Sequence, residues 1–140
     1  MFNNKSKYNI AIVGATGIVG ESLLDILYSR KFPADKIVPL ASKRSAGSQV
    51  KFGSNLLDVI TLNDFDFKDI DIAFFSAGSG VSKEYAPAAA EAGAVIIDNT
   101  SEFRYVDDIP LVVPEVNPEA IQNYKKTNII ANPNCSTIQM

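Results

Sequence analysis

The residue best suited to covalent chemistry is the single cysteine of the chain, Cys135. It lies in the polar sequence Asn132-Pro133-Asn134-Cys135-Ser136-Thr137, after an apolar segment and before a predicted helix that begins at Ser136. A lone cysteine is most often a small buried apolar residue. Polar neighbours, a proline turn and a helix N-terminus, which favours the thiolate form, instead predict an exposed nucleophile. Asn134 is then a candidate donor to the oxyanion that such an attack creates.

A cation is the second candidate for chemistry. Arg104 lies in Asn99-Thr100-Ser101-Glu102-Phe103-Arg104-Tyr105, an otherwise acidic stretch that continues to Asp107 and Asp108. A surface ion pair is the ordinary interpretation and contributes about 0–1 kcal/mol. The alternative is a guanidinium that binds a substrate phosphate or carboxylate. From the residues alone, both interpretations stay open.

Three glycines mark a candidate cofactor loop, Gly14-Ala15-Thr16-Gly17-Ile18-Val19-Gly20. Their spacing is a variant of the dinucleotide fingerprint G-x-G-x-x-G. The loop follows a β-branched apolar segment and precedes an amphipathic helical pattern, which is the context that the fingerprint requires. There, glycines let the backbone approach a pyrophosphate bound by free N–H groups at the helix N-terminus. The loop therefore predicts dinucleotide binding, with a tight turn that binds nothing as the alternative.

The residues after the second predicted strand indicate which dinucleotide is bound. An NAD site usually has an acid about 20 residues beyond the glycine loop, but no acid lies between Asp35 and Asp58. Lys43 and Arg44 stand there instead, followed by Ser45. A guanidinium suits a 2′-phosphate, which a carboxylate would repel. NADP is therefore the predicted cofactor, and an exposed basic loop is the alternative.

Short apolar segments alternate with helical patterns, which predicts βαβ units around a parallel sheet. We expect an α/β fold, Rossmann-like and doubly wound, with a mostly parallel sheet, helices on both faces and ligands at the carboxyl ends of the strands. A helix is predicted over 17–31, ended by Pro33, and another over 82–92, begun or kinked by Pro87. Pro39 indicates a sheet edge or a bulge. Strands are predicted over residues 8–13, 36–41, 49–52, 58–62, 71–76, 94–98, 111–113 and 128–131.

Composition narrows the class of protein. The chain has 140 residues, 46% of them apolar and 21% charged, which is typical of one globular domain. A net charge of −3 gives no positive field for nucleic acid, and no apolar stretch suits a membrane span or signal peptide. One cysteine makes no internal disulfide, so we expect a cytoplasmic protein, and we predict no metal site. There is no histidine, so the chain cannot complete chemistry that needs a histidine base.

Together these motifs closely resemble aspartate-semialdehyde dehydrogenase, from about residue 8 onward. The runs that begin at Asp98 and at Asn132 are much more specific than the glycine loop. The segments that carry the resemblance are residues 14–20, 41–47, 75–78, 98–104, 110–118 and 132–137.

The resemblance implies reversible, NADP-dependent reductive dephosphorylation of 4-phospho-L-aspartate to L-aspartate 4-semialdehyde through a cysteine thioester. This step leads to lysine, threonine, methionine and, in bacteria, diaminopimelate. In this family pattern Cys135 is the nucleophile, Asn134 steadies the oxyanion and Arg104 binds the phosphate. Arg44 and Ser45 bind the cofactor 2′-phosphate. The remaining cofactor residues are those of the two glycine-containing turns: Gly14, Thr16, Gly17, Ile18, Val19, Gly20, Ser76, Ala77 and Gly78.

Members of this family continue past the cysteine into a second domain. That domain carries a glutamine, an arginine for the substrate carboxylate, the acid–base histidine and most contacts of a homo-oligomer, either a dimer or a tetramer. The resemblance thus implies that residues 1–140 are one NADP-binding domain, inactive alone, that ends just after the nucleophile. A catalytically silent NADP-binding fragment and an N-acetyl-glutamyl-phosphate reductase are the alternatives. A glyceraldehyde-phosphate-type dehydrogenase fits less well, because it would normally carry an acid after the second strand.

Overall fold

The structure, a computed structural model, describes residues 5–139. The helices over these residues are α1 (Ile18–Ser29), α2 (Ser79–Glu91) and α3 (Cys135–Ile138), with a 3₁₀ helix over Pro118–Lys126. Met140, the last residue of the helix predicted from Ser136, lies outside the described residues. The strands are β1 (Tyr8–Val13), β2 (Ala34–Ala41), β3 (Gln49–Phe52), β4 (Asn55–Asp58), β5 (Ile60–Thr61), β6 (Ile72–Phe75), β7 (Val95–Asp98) and β8 (Ile129–Ala131).

Six of these strands form one sheet in the order β5-β2-β1-β6-β7-β8, and every neighbouring pair is parallel. The chain starts at the centre, builds outward through β2 and β5, and then returns to β6 on the other side of β1. The order therefore reverses between β1 and β6, which is where ligands bind in doubly wound sheets. Strands β3 and β4 form a separate antiparallel hairpin. The predicted fold class is confirmed.

Helices cover both faces of the sheet because side chains alternate along β1. Ala11 and Val13 lie in a buried cluster with the alanines of α2. Ile10 and Ile12 point to the other face and pack with the buried leucines of α1. All four residues are completely buried, and burying each isoleucine or valine contributes about 1.5–3 kcal/mol. This two-sided burial explains why β1 is a continuous apolar run.

The connection between β7 and β8 crosses both faces of the sheet. Phe103 and Ile109 are buried in the cluster on the α2 face. The 3₁₀ helix then packs Tyr124 against Val95 and Ile130 on the opposite face. The connection thereby carries the segment that contains the candidate anion-binding arginine past the carboxyl ends of β7 and β8.

Two predicted strands differ in the structure. The segment 58–62 is divided because Val59 exchanges backbone hydrogen bonds with the loop, its N–H donating to Ser48 and its carbonyl accepting from Gly47. The chain can then leave the hairpin and join the sheet as β5. The segment 111–113 forms only an isolated parallel bridge between Leu111 and Ala131. The chain turns directly after it, where the carbonyl of Val113 accepts from the N–H groups of Val116 and Asn117.

The two prolines that indicated irregularity have different outcomes. Pro87 does not begin α2, since the helix starts at Ser79 and continues through the proline to Glu91. The predicted kink at Pro87 stays a prediction. Pro39 does lie at a local edge. The carbonyl of Leu40 accepts from Gly14 on the β1 side, so the backbone of Pro39 faces the other side, where β5 pairs only with residues 40 and 41.

Candidate functional site

The glycine loop turns the chain from β1 into α1 and is held by both neighbouring strands. Gly14 has φ +91°, and a Cβ there would lie 3.0 Å from the carbonyl carbon of Ser76 and 3.1 Å from the Cβ of Ala77. Its N–H donates to the carbonyl of Leu40 at 2.9 Å, and its own carbonyl accepts from Gly17 at 3.1 Å. A residue with a side chain would be strained here and would collide with the turn after β6.

The third glycine, Gly20, is buried beneath this loop. A Cβ on Gly20 would lie 2.2 Å from the carbonyl oxygen of Gly14 and 2.7 Å from the Cα of Ala15. Helix α1 therefore approaches the end of β1 as closely as backbone atoms allow. Gly17 is the N-cap of α1 and supplies no side-chain acceptor, so the first N–H groups of the helix have no cap from it. Such a helix start suits a phosphate.

A cavity of about 450 Å³ opens at the carboxyl ends of β1, β2 and β6, within the volume range usual for small-molecule sites. Its wall contains six of the predicted cofactor residues: Gly14, Thr16, Gly17, Ser45, Ser76 and Ala77.

Five other predicted cofactor residues do not line this cavity. Ile18 is 86% exposed at the start of α1, and Val19 lines a separate apolar groove of about 310 Å³ beside the sheet. Gly20 lies behind the loop, as described. Gly78 is exposed at the N-cap of α2. Arg44 is exposed in the turn after β2 and makes no polar contact within residues 5–139.

Eight further residues line the cavity, and the sequence analysis missed four polar or helical ones among them. Asn63 follows β5, and Val81, Glu84 and Tyr85 lie on α2. The three helical residues share one face because they are three and four positions apart, and this spacing is the signal that could have identified them. Desolvation, together with the negative charge of Glu84, raises the pKa of Tyr85 above its ordinary value. The cavity therefore presents a neutral phenol at neutral pH.

The cysteine turn, residues 132–137, links β8 to α3. Cys135 is exposed, as predicted for a nucleophile. The Oδ1 atom of Asn134 accepts hydrogen bonds from the backbone N–H groups of Ser136 at 2.9 Å and Thr137 at 3.2 Å. Asn134 is thus the N-cap of α3, and its Nδ2 is the end of the amide left to donate to another oxygen.

Arg104 reaches the same turn from the β7–β8 connection. It is half-buried, and its Nε donates to the carbonyl of Asn132 at 2.9 Å while its Nη2 donates to the carbonyl of Asn99 at 3.2 Å. The side chains of these two asparagines also pair, Nδ2 of Asn132 donating to Oδ1 of Asn99 at 2.7 Å. Within residues 5–139 the two ion pairs join Lys5 to Asp71 and Lys126 to Asp108. A surface ion pair, the ordinary interpretation of Arg104, is therefore not what the structure shows.

Asp98 anchors this region from beneath. It is completely buried at the end of β7, and its carboxylate accepts from the hydroxyls of Ser82 at 2.6 Å and Thr100 at 2.8 Å. Its carbonyl accepts from the N–H of Asn132 at 2.8 Å. The sequence placed Asp98 at a strand end but gave no sign of these partners, one of which is 16 residues away on α2.

Residues 5–139 contain no group of three or more histidine, cysteine, aspartate or glutamate side chains arranged to hold a metal ion. No helix within the same residues is long and apolar enough to cross a membrane.

A parallel sheet of Rossmann order, with a glycine loop at its first strand–helix turn, defines a nicotinamide-dinucleotide-binding domain of the kind found in oxidoreductases. The family model described as "Semialdehyde dehydrogenase, NAD binding domain" matches residues 9–124. The chain belongs to this family.

Relatives that are similar to the chain carry the name aspartate-semialdehyde dehydrogenase. The chain is 60% identical over 136 residues to the aspartate-semialdehyde dehydrogenase of Campylobacter jejuni, covering 96% of this chain and 40% of that protein. The solved structure of aspartate semialdehyde dehydrogenase II complexed with ASA, from Vibrio cholerae, superposes with a TM-score of 0.92 at 57% identity. That match covers 96% of this chain and 44% of that one.

A more distant structure gives information on the cofactor. The aspartate semialdehyde dehydrogenase of Candida albicans, solved with NADP, has a TM-score of 0.74 and 28% identity, and the match covers 94% of this chain and 44% of that one. The chain therefore spans less than half the length of each of these relatives.

Proposed function

We propose that residues 1–140 form the NADP-binding, nucleophile-bearing unit of an aspartate-semialdehyde dehydrogenase. The reaction is the reductive dephosphorylation of 4-phospho-L-aspartate to L-aspartate 4-semialdehyde. The observation that carries the proposal is that Arg104 is hydrogen-bonded to the first residue of the turn that contains the exposed Cys135. Arg104 has no carboxylate partner within residues 5–139 and donates to a carbonyl three residues before Cys135. A guanidinium with no carboxylate partner, bonded to the turn that contains an exposed thiol, suits an anionic acyl substrate.

In this proposal the thiolate of Cys135 attacks the carbonyl carbon of the acyl phosphate. The bond between that carbon and the phosphate oxygen breaks, which leaves a thioester on the cysteine and releases inorganic phosphate. Arg104 binds the phosphate before and after the bond breaks. Nδ2 of Asn134, whose Oδ1 is held by the helix cap, donates to the oxyanion.

The residues of the cavity fit a dinucleotide. The backbone of Gly14 turns where a Cβ would collide with Ser76 and Ala77, and the uncapped start of α1 faces the loop that Thr16 and Gly17 form. Ser45 and the exposed Arg44 follow β2 and would hold the 2′-phosphate. When bound, NADPH supplies the hydride that reduces an acyl group. The single cysteine, which makes no internal disulfide, suits action in the cytoplasm.

The cofactor assignment is tested by comparing the affinities of the chain for NADPH and NADH by fluorescence titration. We expect NADPH to bind at least tenfold more tightly, about 1.4 kcal/mol. Arg44→Ala should remove most of this preference without weakening NADH. Lys43→Ala, which removes the neighbouring positive charge, is the matched control and should retain the preference. Equal affinities in the unaltered chain, or an unchanged preference in Arg44→Ala, would contradict NADP.

A second candidate function is NADP binding without turnover, and the absence of histidine from residues 1–140 favours it. Proton transfer on the aldehyde would need a base that these residues do not supply. We therefore expect the 140-residue chain to bind NADP and to react with a thiol reagent at Cys135. It should show no phosphate-dependent reduction of NADP by aspartate semialdehyde. Measurable reduction by this chain would reject the second candidate.

A further inference from the structure

We propose that Asn99 and Asn132 are positioning residues that shape Arg104 into an anion-binding fork. This inference rests on the proposed function, which assigns a phosphate to Arg104, and adds the residues that fix the guanidinium. Neither asparagine needs to touch the substrate. Their part is to hold two backbone carbonyls at the spacing that the guanidinium requires.

The first step of the argument is the hydrogen-bond inventory of the guanidinium. Arginine has five N–H donors in a fixed plane. One on Nε and one on Nη2 are used by the carbonyls of Asn132 and Asn99. The three others, including both on Nη1, have no partner within residues 5–139. A planar group anchored through one edge keeps the rest of its donors in a fixed orientation, which is the arrangement that binds a phosphate through two oxygens.

The second step concerns the two carbonyls. Asn99 directly follows β7 and Asn132 directly follows β8, and these strands are neighbours in the sheet. Beyond the last paired residues, Asp98 and Ala131, one backbone hydrogen bond continues the ladder, from the N–H of Asn132 to the carbonyl of Asp98. The amide pair, with Nδ2 of Asn132 2.7 Å from Oδ1 of Asn99, joins the two strand ends at this point. Together with that backbone bond, it sets the separation of the two carbonyls that hold Arg104.

The third step is the link to the cysteine turn. The N–H of Asn132 donates to the carbonyl of Asp98. The side chain of Asp98 is buried, and its carboxylate accepts hydrogen bonds from two hydroxyls. Asn132 is thus fixed through its backbone and its side chain, and Cys135 follows three residues later. The same asparagine consequently sets the position of both the guanidinium and the start of the turn that bears the thiol.

Two variants separate this role from a general effect of charge. Asn99→Asp keeps an oxygen that accepts from Asn132, whereas the double variant Asn99→Asp with Asn132→Leu carries the same carboxylate and lacks the Nδ2 donor. Each adds one negative charge in the same place. A difference between the two variants therefore reports the hydrogen bond and not the charge.

The experiment uses the ¹⁵N-labelled 140-residue chain and inorganic phosphate as the probe. The Nε–H signal of Arg104, identified by its loss in Arg104→Lys, should be protected from solvent exchange in the unaltered chain and in Asn99→Asp. The double variant should lose that protection and bind phosphate at least fivefold more weakly than Asn99→Asp. Asn117→Ala is the control for loss of an asparagine from the same connection, since Asn117 also makes two hydrogen bonds there. Asn117→Ala should leave the Nε–H protection and the phosphate affinity unchanged. The asparagine variants should also bind NADPH as tightly as the unaltered chain does.

The possible outcomes are distinct. Equal protection and equal phosphate affinity in Asn99→Asp and the double variant, with binding in the unaltered chain, would overturn the positioning role and leave the proposed function standing. Absence of phosphate binding in the unaltered chain would overturn the anion role of Arg104 in the proposed function, and the positioning role with it. Loss of the Nε–H protection in Asn117→Ala would also reject the specific role of the amide pair.

Discussion

The glycine loop and the cysteine turn both follow a parallel strand and lead into a helix at the same edge of the sheet, yet they are held by different forces. Besides its backbone hydrogen bonds, the glycine loop is fixed by steric contact, with Gly20 against the carbonyl of Gly14 and Gly14 against the turn after β6. The cysteine turn is fixed by polar groups that come from far along the chain, Arg104 and Asn99 among them. Steric fit tolerates almost no substitution, whereas a hydrogen-bonded turn loses stability in steps as single bonds are removed.

The largest effect should come from Gly20→Ala. The added Cβ meets backbone atoms that cannot rotate away, so we expect the free energy of unfolding to fall by about 3 kcal/mol or more. The measurement is urea denaturation followed by circular dichroism. Gly80→Ala is the matched control, because a Cβ on Gly80 meets nothing within 4 Å and alanine favours the helix by up to about 1 kcal/mol. Similar stabilities for the two variants would contradict a steric basis for the loop.

The second-largest effect should come from Asp98, which belongs to the polar network beneath the cysteine turn. Asp98→Ala leaves the buried hydroxyl of Ser82 without its acceptor, and we expect a loss of about 2–3 kcal/mol in the free energy of unfolding. Asp108→Ala removes a carboxylate that is 68% exposed and paired only to Lys126, so it should change stability by less than about 0.5 kcal/mol. If the two aspartates prove equivalent, the buried network does not hold the end of β7.

A smaller and local effect is expected at the cap of α3. Asn134→Ala removes the acceptor for two backbone N–H groups, which is worth about 1 kcal/mol. Amide exchange at Ser136 and Thr137 should become roughly fivefold faster, as this energy requires. Asn134→Asp retains the capping oxygen and should show slow exchange. Fast exchange in both variants would mean that the cap does not depend on this side chain.

The smallest effect lies at the opposite end of the sheet. Burial raises the pKa of Asp71, but the hydrogen bonds from Lys5 and the N–H of Asn9, with the charge of Lys5, outweigh it and bring the pKa below its ordinary value of 3.8. The ionised group thus stabilises the folded chain above that pH, and the contribution disappears as the pH falls through the lower, folded value. Lys5→Met should cost about 0.5–1 kcal/mol at pH 7. In acid denaturation the difference from the unaltered chain should begin to decrease below pH 3.8 and vanish once the pH is below the lowered pKa of Asp71. A loss that persists there would show that packing is responsible.

The same contrast explains what the sequence predicted. β1, the glycine loop and α1 follow from local signals: β-branched residues, glycine spacing and an apolar stripe of period 3.6. The sheet order follows from the alternation of strands and helices, because crossover connections restrict the possible topologies. These signals are carried by residues close together in the chain, so they are visible without a structure.

The contacts of the second region could not be predicted in this way. The hydrogen bonds from Ser82 to Asp98 and from Arg104 to Asn132 join residues 16 and 28 positions apart. No periodic pattern specifies such pairs. The sequence also does not show that Ser82, on an alanine-rich helix, is buried against Asp98 and not exposed to solvent. The segment 111–113 was mistaken for a strand for a related reason. Val112 packs with Ile130, and Leu111 forms a bridge to Ala131. A short apolar segment that is buried in this way has the same composition as a strand.

The exposed thiol of Cys135 limits how far the chain can be cross-linked by disulfides when oxygen oxidises it. With one cysteine per chain, oxidation can join each molecule to one other molecule and no further. Covalent assembly therefore stops at a pair, unlike that of a protein with two accessible thiols, which can build chains of any length. A reductant-sensitive band at twice the mass of the chain, with nothing larger above it, is the expected signature on a non-reducing gel, and it would report directly that Cys135 is open to solvent.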